Sequence, residues 1–294
     1  MDVQHAGRPV VVGVDGSESS AQAVLWAAQE AHRRQAPLRL VQTVEPTTPV
    51  YQYGDPRSGP DLRRIRLRAA HAHLRDAARA AVEEAPGLVV EQGVLDGFAI
   101  SRLVGESRSA QLVVIGDRGR GGVAGLLLGS VAVALAAKGE CPVVVVRGRA
   151  TANAGPVVVG VDGSPVSEAA LEWAFEAADA RSADLVAVHA WRDLLLDQKT
   201  PLDGAIEQQA RADLAERLAG WCGKYPDVRV RRVLVRDAPA RVIVEQSVTA
   251  QLVVVGSHGR GGLGGLLLGS VSNAVVHRAD CPVVVVRGSG DDGA

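Results

Sequence analysis

The sequence has 294 residues and a formal net charge of −1; 47% of its residues are hydrophobic and 3% aromatic. At roughly 150 residues per domain, this length suggests two domains with cores of Val, Leu, Ala and Ile. The balanced charge offers no basic surface for nucleic acid and no acidic tail.

Three cysteines, Cys141, Cys222 and Cys281, form no CxxC pair, which argues against both a disulfide framework and a zinc site. Met1 to Arg8 lacks the apolar segment of a signal peptide. The apolar runs fall far short of the roughly 20 residues a membrane helix needs. A cytoplasmic location without membrane contact is therefore expected. Only three of the 32 basic residues are lysines (Lys138, Lys199 and Lys224), a bias attributable to genomic base composition.

In chain order, Val10–Val14 reads as a β-branched strand and Glu18–Gln35 as a helix with Ala21, Leu25, Ala28 and His32 on or near one face. Leu38–Val44 is a second strand, Asp61–Glu84 a long Arg- and Ala-rich helix, and Leu88–Leu95 a third strand. Helix Ala99–Ser107, strand Gln111–Ile115, helix Ser130–Ala137 and strand Pro142–Val146 complete the series. Residues 156–294 repeat it, with strands at Val157–Val161, Leu185–His189, Arg229–Val235, Gln251–Val255 and Pro282–Val286.

Self-comparison fixes the domain plan. PVVVGVDGS at Pro9–Ser17 recurs without change at Pro156–Ser164, an offset of 147, and Ala110–Gly148 matches Ala250–Gly288 at 26 of 39 positions, an offset of 140. The missing seven residues fall at Tyr51–Pro60, a loop rich in Pro, Gly and Tyr. The expected plan is a domain over 1–148, a linker over 149–155 and a second domain over 156–294. Strand–helix alternation implies an α/β chain of two tandem Rossmann-like domains, each an open five-stranded parallel sheet with helices on both faces.

Ligands of such sheets lie beyond the carboxyl ends of the strands. Two segments there carry suggestive chemistry. GDRGRGGVAGLLLGS at Gly116–Ser130 and GSHGRGGLGGLLLGS at Gly256–Ser270 follow the fourth strands. Glycines allow close backbone approach, successive N–H groups make an anion nest, and the helix that follows offers free N–H groups to phosphate. Ser130 and Ser270 can donate to a phosphate oxygen, and Arg120 and Arg260 can add charge. The alternative is that the two serines are only helix N-caps and the glycines only a turn.

Neither loop holds the lysine of a Walker A motif. Gly259–Gly264 matches G-x-G-x-x-G by accident, since that fingerprint belongs after the first strand. Asp15 and Asp162 end the first strands, placed to meet ribose hydroxyls or a phosphate-bound Mg²⁺, or else simply to make a turn.

These residues resemble tandem universal stress proteins of the actinobacterial two-domain kind. The ATP-binding branch of that family carries G-x2-G-x9-G-S/T, matched here by Gly116, Gly119, Gly129 and Ser130, and by Gly256, Gly259, Gly269 and Ser270. The resemblance covers Pro9–Gly148 and Pro156–Gly288.

It implies ATP, with Mg²⁺, against Gly13, Val14 and Asp15. Adenine would lie near the backbone of Thr43 and between Val14 and Ile115. Phosphates would lie on Gly116, Asp117, Arg118, Gly119, Arg120, Gly121 and Gly122, and on Gly129, Ser130 and Val131. In the second copy it implies Gly160, Val161, Asp162, Ala190 and Val255, then Gly256, Ser257, His258, Gly259, Arg260, Gly261 and Gly262, and Gly269, Ser270 and Val271. Trp191 is expected to cover adenine and Asp193 to reach ribose. The Asp117-Arg118 and Ser257-His258 pairs distinguish the two sites.

The resemblance also implies a stress or growth-arrest role, pairing of the fifth strands Val143–Val146 and Val283–Val286, and a homodimer. An ATP-consuming enzyme and an interaction protein with empty loops are the competing readings; no catalytic base is legible. Alanine at Gly116 or Gly256 is expected to obstruct a ligand or to strain a left-handed backbone. His71 and His73 point apart on their helix, Arg63–Arg68 reads as a solvated face, and the cysteines read as packing residues.

Overall fold

The computed structural model describes residues 7–46, 58–119, 128–148, 154–191, 203–259 and 268–288. The chain divides into two compact units, residues 1–146 and 147–294.

In the first unit, β1 (Val10–Gly13), α1 (Glu18–Arg33), β2 (Leu38–Val44), α2 (Ser58–Glu84), β3 (Val90–Asp96), α3 (Ala99–Ser107), β4 (Leu112–Gly116), α4 (Ser130–Lys138) and β5 (Val143–Val146) follow one another. The strands pair in parallel in the order β3-β2-β1-β4-β5. The second unit repeats this with β6 (Val157–Gly160), α5 (Pro165–Asp179), β7 (Leu185–Ala190), α6 (Asp203–Lys224), β8 (Val230–Val235), α7 (Pro239–Ser247), β9 (Leu252–Gly256), α8 (Ser270–Arg278) and β10 (Val283–Val286). Its order is β8-β7-β6-β9-β10, again parallel. Both units are thus α/β with the expected five-stranded parallel sheet.

The central strands are fully buried, Val10, Val11 and Val12 and Val157, Val158 and Val159 all at 0% exposure. Only a sheet covered on both faces accepts unbroken Val runs. The outer strand β3 is polar and half exposed, which suits an edge.

Helix α1 starts at Ser17, whose Oγ accepts from Ser20 N at 3.1 Å. Its buried residues include Ala23, Val24, Trp26, Ala27, Ala28 and Ala31, while Ala21 and His32 are exposed. The expected face is therefore rotated. The helix touches α2 as well as β1 and β4, so it buries more than the single stripe that periodicity seeks. Arg63–Arg68 is mostly exposed, as expected of a solvated face. Among the described residues no helix is long and apolar enough to cross a membrane.

The first turn of α1 presses on the end of β4. A Cβ on Gly116 would sit 2.7 Å from the backbone carbon and oxygen of Ser19. A Cβ on Gly256 would meet Val166 Cγ1 at 2.9 Å and the Val166 carbonyl carbon at 3.4 Å. Neither glycine is left-handed. Contact with the first turn of α1 or α5 already crowds a Cβ at both positions, and the expectation of a left-handed backbone there is corrected. Gly16 and Gly163, at φ +79° and +78°, are the positions that demand a left-handed residue, directly after Asp15 and Asp162.

Two outcomes follow for stability and reactivity. Gly116→Ala should lower unfolding free energy by about 1–3 kcal/mol, the usual range for overpacking against a fixed backbone, read as a shift of the denaturant midpoint at constant slope. Cys141 and Cys281 are buried and Cys222 is half-buried; burial pushes the Cys141 thiol up to about 12. A thiol titration at pH 8 should therefore label Cys222 alone in the native protein, with the other two labelled only after unfolding.

Candidate functional site

Strand order reverses between β1 and β4, because β1 has β2 on one side and β4 on the other. The crevice beyond their carboxyl ends is where open α/β sheets hold ligands. In the first unit it is a cleft of about 530 Å³, inside the about 300–1,000 Å³ usual for small-molecule sites.

One wall is apolar. Val14 and Ile115 face it, with Val41 and Thr43 from β2, Leu103 from α3 and Val131 from α4. Gly13 belongs here because a Cβ there would already meet Leu103 Cδ1 at 3.4 Å. The opposite end is polar. Asp15, Gly119, Gly129 and Ser130 line it, and Arg118 lies at its edge.

Asp15 does two things. Its Oδ1 accepts from Ser17 N at 2.9 Å and from Ser17 Oγ at 2.6 Å, an Asx turn that leads into α1. Its Oδ2 faces the glycine loop: a Cβ on Gly119 would lie 2.7 Å from it. The turn and the approach to Gly119 thus involve different oxygens of one carboxylate. The second unit repeats both features, with Ser164 N donating to Asp162 Oδ1 at 2.9 Å and Gly259 facing Asp162 Oδ2.

The loop after β4 is closed at its base. Gly129 N donates to the Asp117 carbonyl at 2.7 Å, and Gly269 N to the Ser257 carbonyl at 2.8 Å. This pinch sets the start of α4 beside Gly119. The helix caps are Gly129 and Gly269, neither making a side-chain cap bond, and Ser130 and Ser270 are exposed at the first helical position. The N-cap explanation of these serines therefore fails. The N-cap residues of α4 and α8 thus offer no side chain to the first N–H groups of these helices, the arrangement that accepts an anion.

Asp117 points elsewhere. Its carboxylate accepts from Ser19 Oγ at 2.8 Å, and Arg118 Nε lies 3.5 Å from it. It braces the loop against α1 and does not line the cleft. The Arg118 side chain is 66% exposed. In the second unit Val166 and Ser257 replace Ser19 and Asp117. Ser257 is fully buried, with its Oγ 3.2 Å from His258 Nδ1, and Ser272 Oγ donates to the Gly256 carbonyl. Gly160, Val161, Ala190, Val255 and Val271 occupy the places that Gly13, Val14, Thr43, Ile115 and Val131 take in the first unit.

Arg120, Gly121, Gly122, Asp193, Arg260, Gly261 and Gly262 lie outside the described residues. Trp191 lies on the other face of β7 from the counterparts of the residues that line the first cleft. Residues 41 and 43 of β2 line the first cleft, so their counterparts are 188 and 190, and strand alternation turns 189 and 191 to the other face. Trp191 instead packs its ring on His189, centroids 5.8 Å apart. Val41, Leu103 and Leu128, which also line the first cleft, carried no sequence signal beyond apolarity. Only the two-residue step from Thr43 points to Val41. Among the described residues, no group of three or more His, Cys, Asp or Glu side chains is placed to hold a metal.

The universal stress protein family model matches residues 7–147 and again 154–287. A universal stress protein of Mycobacterium tuberculosis strain H37Rv is 45% identical over 288 residues, covering 95% of this chain and 97% of that protein. One from Mycolicibacterium smegmatis is 42% identical, covering 95% and 96%. The crystal structure of a universal stress protein from Archaeoglobus fulgidus superposes with a TM-score of 0.69 at 19% identity over 97% of this chain and 98% of that one, which speaks to the fold. This chain belongs to the universal stress protein family and carries two copies of its domain in tandem.

Proposed function

We propose that each unit binds one ATP and that the protein acts as a nucleotide-responsive regulator in stress or growth arrest, with little or no turnover. The observation that carries this reading is the cleft of the first unit, where an apolar slot runs into a polar end made of Asp15, Gly119 and the start of α4. In this reading adenine fills the slot between Val14 and Ile115 beside the Thr43 backbone, and Asp15 Oδ2 accepts from ribose or meets a Mg²⁺ carried by the phosphates. The phosphates take N–H groups from the 116–122 loop and from Gly129, Ser130 and Val131. The second unit is assigned the same role through Gly160–Asp162, Ala190, Val255, Gly256–Gly262 and Gly269–Val271. A homodimer and a cytoplasmic location belong to this reading through family resemblance.

Slow turnover follows from the site's charge. Phosphoryl transfer relies on Lys, Mg²⁺ and an added Arg around the transferred group. The described residues lining the cleft include no lysine, and their one arginine is Arg118, largely in solvent. Hydrolysis should run far below the about 1–100 s⁻¹ of kinases, measured as phosphate release from purified protein. A rate in that range, abolished by Asp15→Asn, would make the protein an enzyme.

Calorimetry should count two ATP per chain. Asn keeps the Asx turn while removing the charge, so Asp15→Asn and Asp162→Asn separate the two uses of the carboxylate. Each variant should retain its melting temperature and one site of unchanged affinity. The other site should weaken at least about tenfold, since hydrogen bonds to charged groups contribute about 1.5–3 kcal/mol and 1.4 kcal/mol is tenfold. One site in the unaltered protein, or full binding in the double variant, contradicts the assignment.

A further inference from the structure

The second unit holds a pocket on the α6 side of the β6 end, which shares Val161 and Asp162 with the nucleotide reading and otherwise uses residues that reading leaves out. It has a volume of about 320 Å³ and lies between the ends of β6 and β7 and helix α6. Its floor is Val161 and the fully buried Leu214; His189, Trp191, Asp213 and Arg217 form its walls.

The first unit closes the same place. Leu74 and Leu214, both buried, set the register of α2 and α6, which pairs His73 with Asp213. The strand registers pair Gln42 with His189 and Val44 with Trp191. His73 covers Gly16, its Nε2 standing 2.6 Å from where a Cβ on that glycine would be, and its Nδ1 lies 3.2 Å from Gln42 Oε1. In the second unit the imidazole has moved from the helix to the strand, a short carboxylate replaces it on the helix, and an indole replaces a valine. The exchange lines the pocket beside Gly163 with new chemistry.

That chemistry favours a donor. His189 Nδ1 lies 2.7 Å from the Val161 carbonyl, which can only accept, so Nδ1 carries the hydrogen and Nε2 of the neutral ring is an acceptor. Gln209 Nε2 donates to Asp213 Oδ1 at 2.7 Å, leaving Asp213 Oδ2 and Gln209 Oε1 as acceptors. The charge of Arg217 is matched by Glu168. Asp213 therefore sets a negative charge in the same pocket as Trp191, the setting for a cation over an aromatic ring.

We infer that this pocket binds a small organic cation, a guanidinium or primary ammonium compound, through Asp213, His189 and the face of Trp191. Its volume, at the low end of ligand sites, suits a free small molecule. The inference does not depend on ATP binding at the other cleft.

Agmatine is the probe, followed by tryptophan fluorescence and by saturation-transfer NMR on the full chain, with and without ATP. Saturable binding of agmatine is expected, with none of inorganic phosphate or glutarate. Trp191→Val, which restores the first unit's residue, should weaken agmatine about five- to thirtyfold, in line with cation–π contributions of about 1–2 kcal/mol at partly desolvated sites. The pair His189→Gln with Asp213→His recreates the closed arrangement and should abolish binding while the melting curve stays cooperative. If that pair does not fold, the Trp191→Val measurement decides. Absence of saturable agmatine binding, undiminished binding in either variant, equal binding of phosphate, or tighter binding of an arginine-containing tripeptide than of agmatine would overturn the proposal.

Discussion

The cleft of the first unit depends on one backbone hydrogen bond, from Gly129 N to the Asp117 carbonyl at 2.7 Å, and the second unit repeats that bond from Gly269 N to the Ser257 carbonyl at 2.8 Å. It brings the exit of the fourth strand and the entry of the fourth helix together across an intervening loop. Without it, the strand-one carboxylate and the helix N-terminus would belong to separate parts of the surface. With it, Gly119 faces Asp15 Oδ2 and the uncapped start of α4 opens onto the same space. A Cβ on Gly129 would lie 3.4 Å from that carbonyl oxygen, in ordinary contact.

Much of the architecture was legible in the sequence because the constraints behind it are local or repeated. Unbroken Val runs, helical spacing between them and a nine-residue exact repeat leave few alternatives to a duplicated parallel α/β plan. The residues at the strand ends were legible for the same reason: glycine spacing and an acid after strand one have chemistry that can be named before any fold is known. The face of α1 was not legible, since a helix pressed between a sheet and α2 loses its single stripe. The contact of Gly116 with Ser19 was not legible, because sequence alone does not show which backbone a glycine lies against. Ser130 was open to reading as a cap because the one-residue difference between cap and first helical position lies below the resolution of pattern. Val41 and Leu103 were silent, since a cleft wall and a core are written in the same residues.

Duplication here has preserved one set of contacts and released another. The carboxylate turn, the pinch and the uncapped helix start are the same in both units. The brace behind the loop is not: Ser19 and Asp117 hold a hydrogen bond in the first unit, where Val166 and a buried Ser257 stand in the second. On the α2 and α6 side, His73 and Gln42 give way to Asp213 and His189, and packing becomes a pocket. Divergence has thus fallen on side chains that support or flank the cleft, where a change alters surroundings without breaking the sheet.

The central claim is that the cleft between the ends of β1 and β4 is a nucleotide site. Residue-resolved NMR of the deuterated chain during an ATP titration tests it most directly. The account predicts that the amides of Val14, Asp15, Gly119, Gly129, Ser130 and Val131 move together with one saturation curve, while those of Leu74 and Ala81 on α2 stay in place. Shifts centred away from these strand ends, or no saturable shift at all, would contradict it.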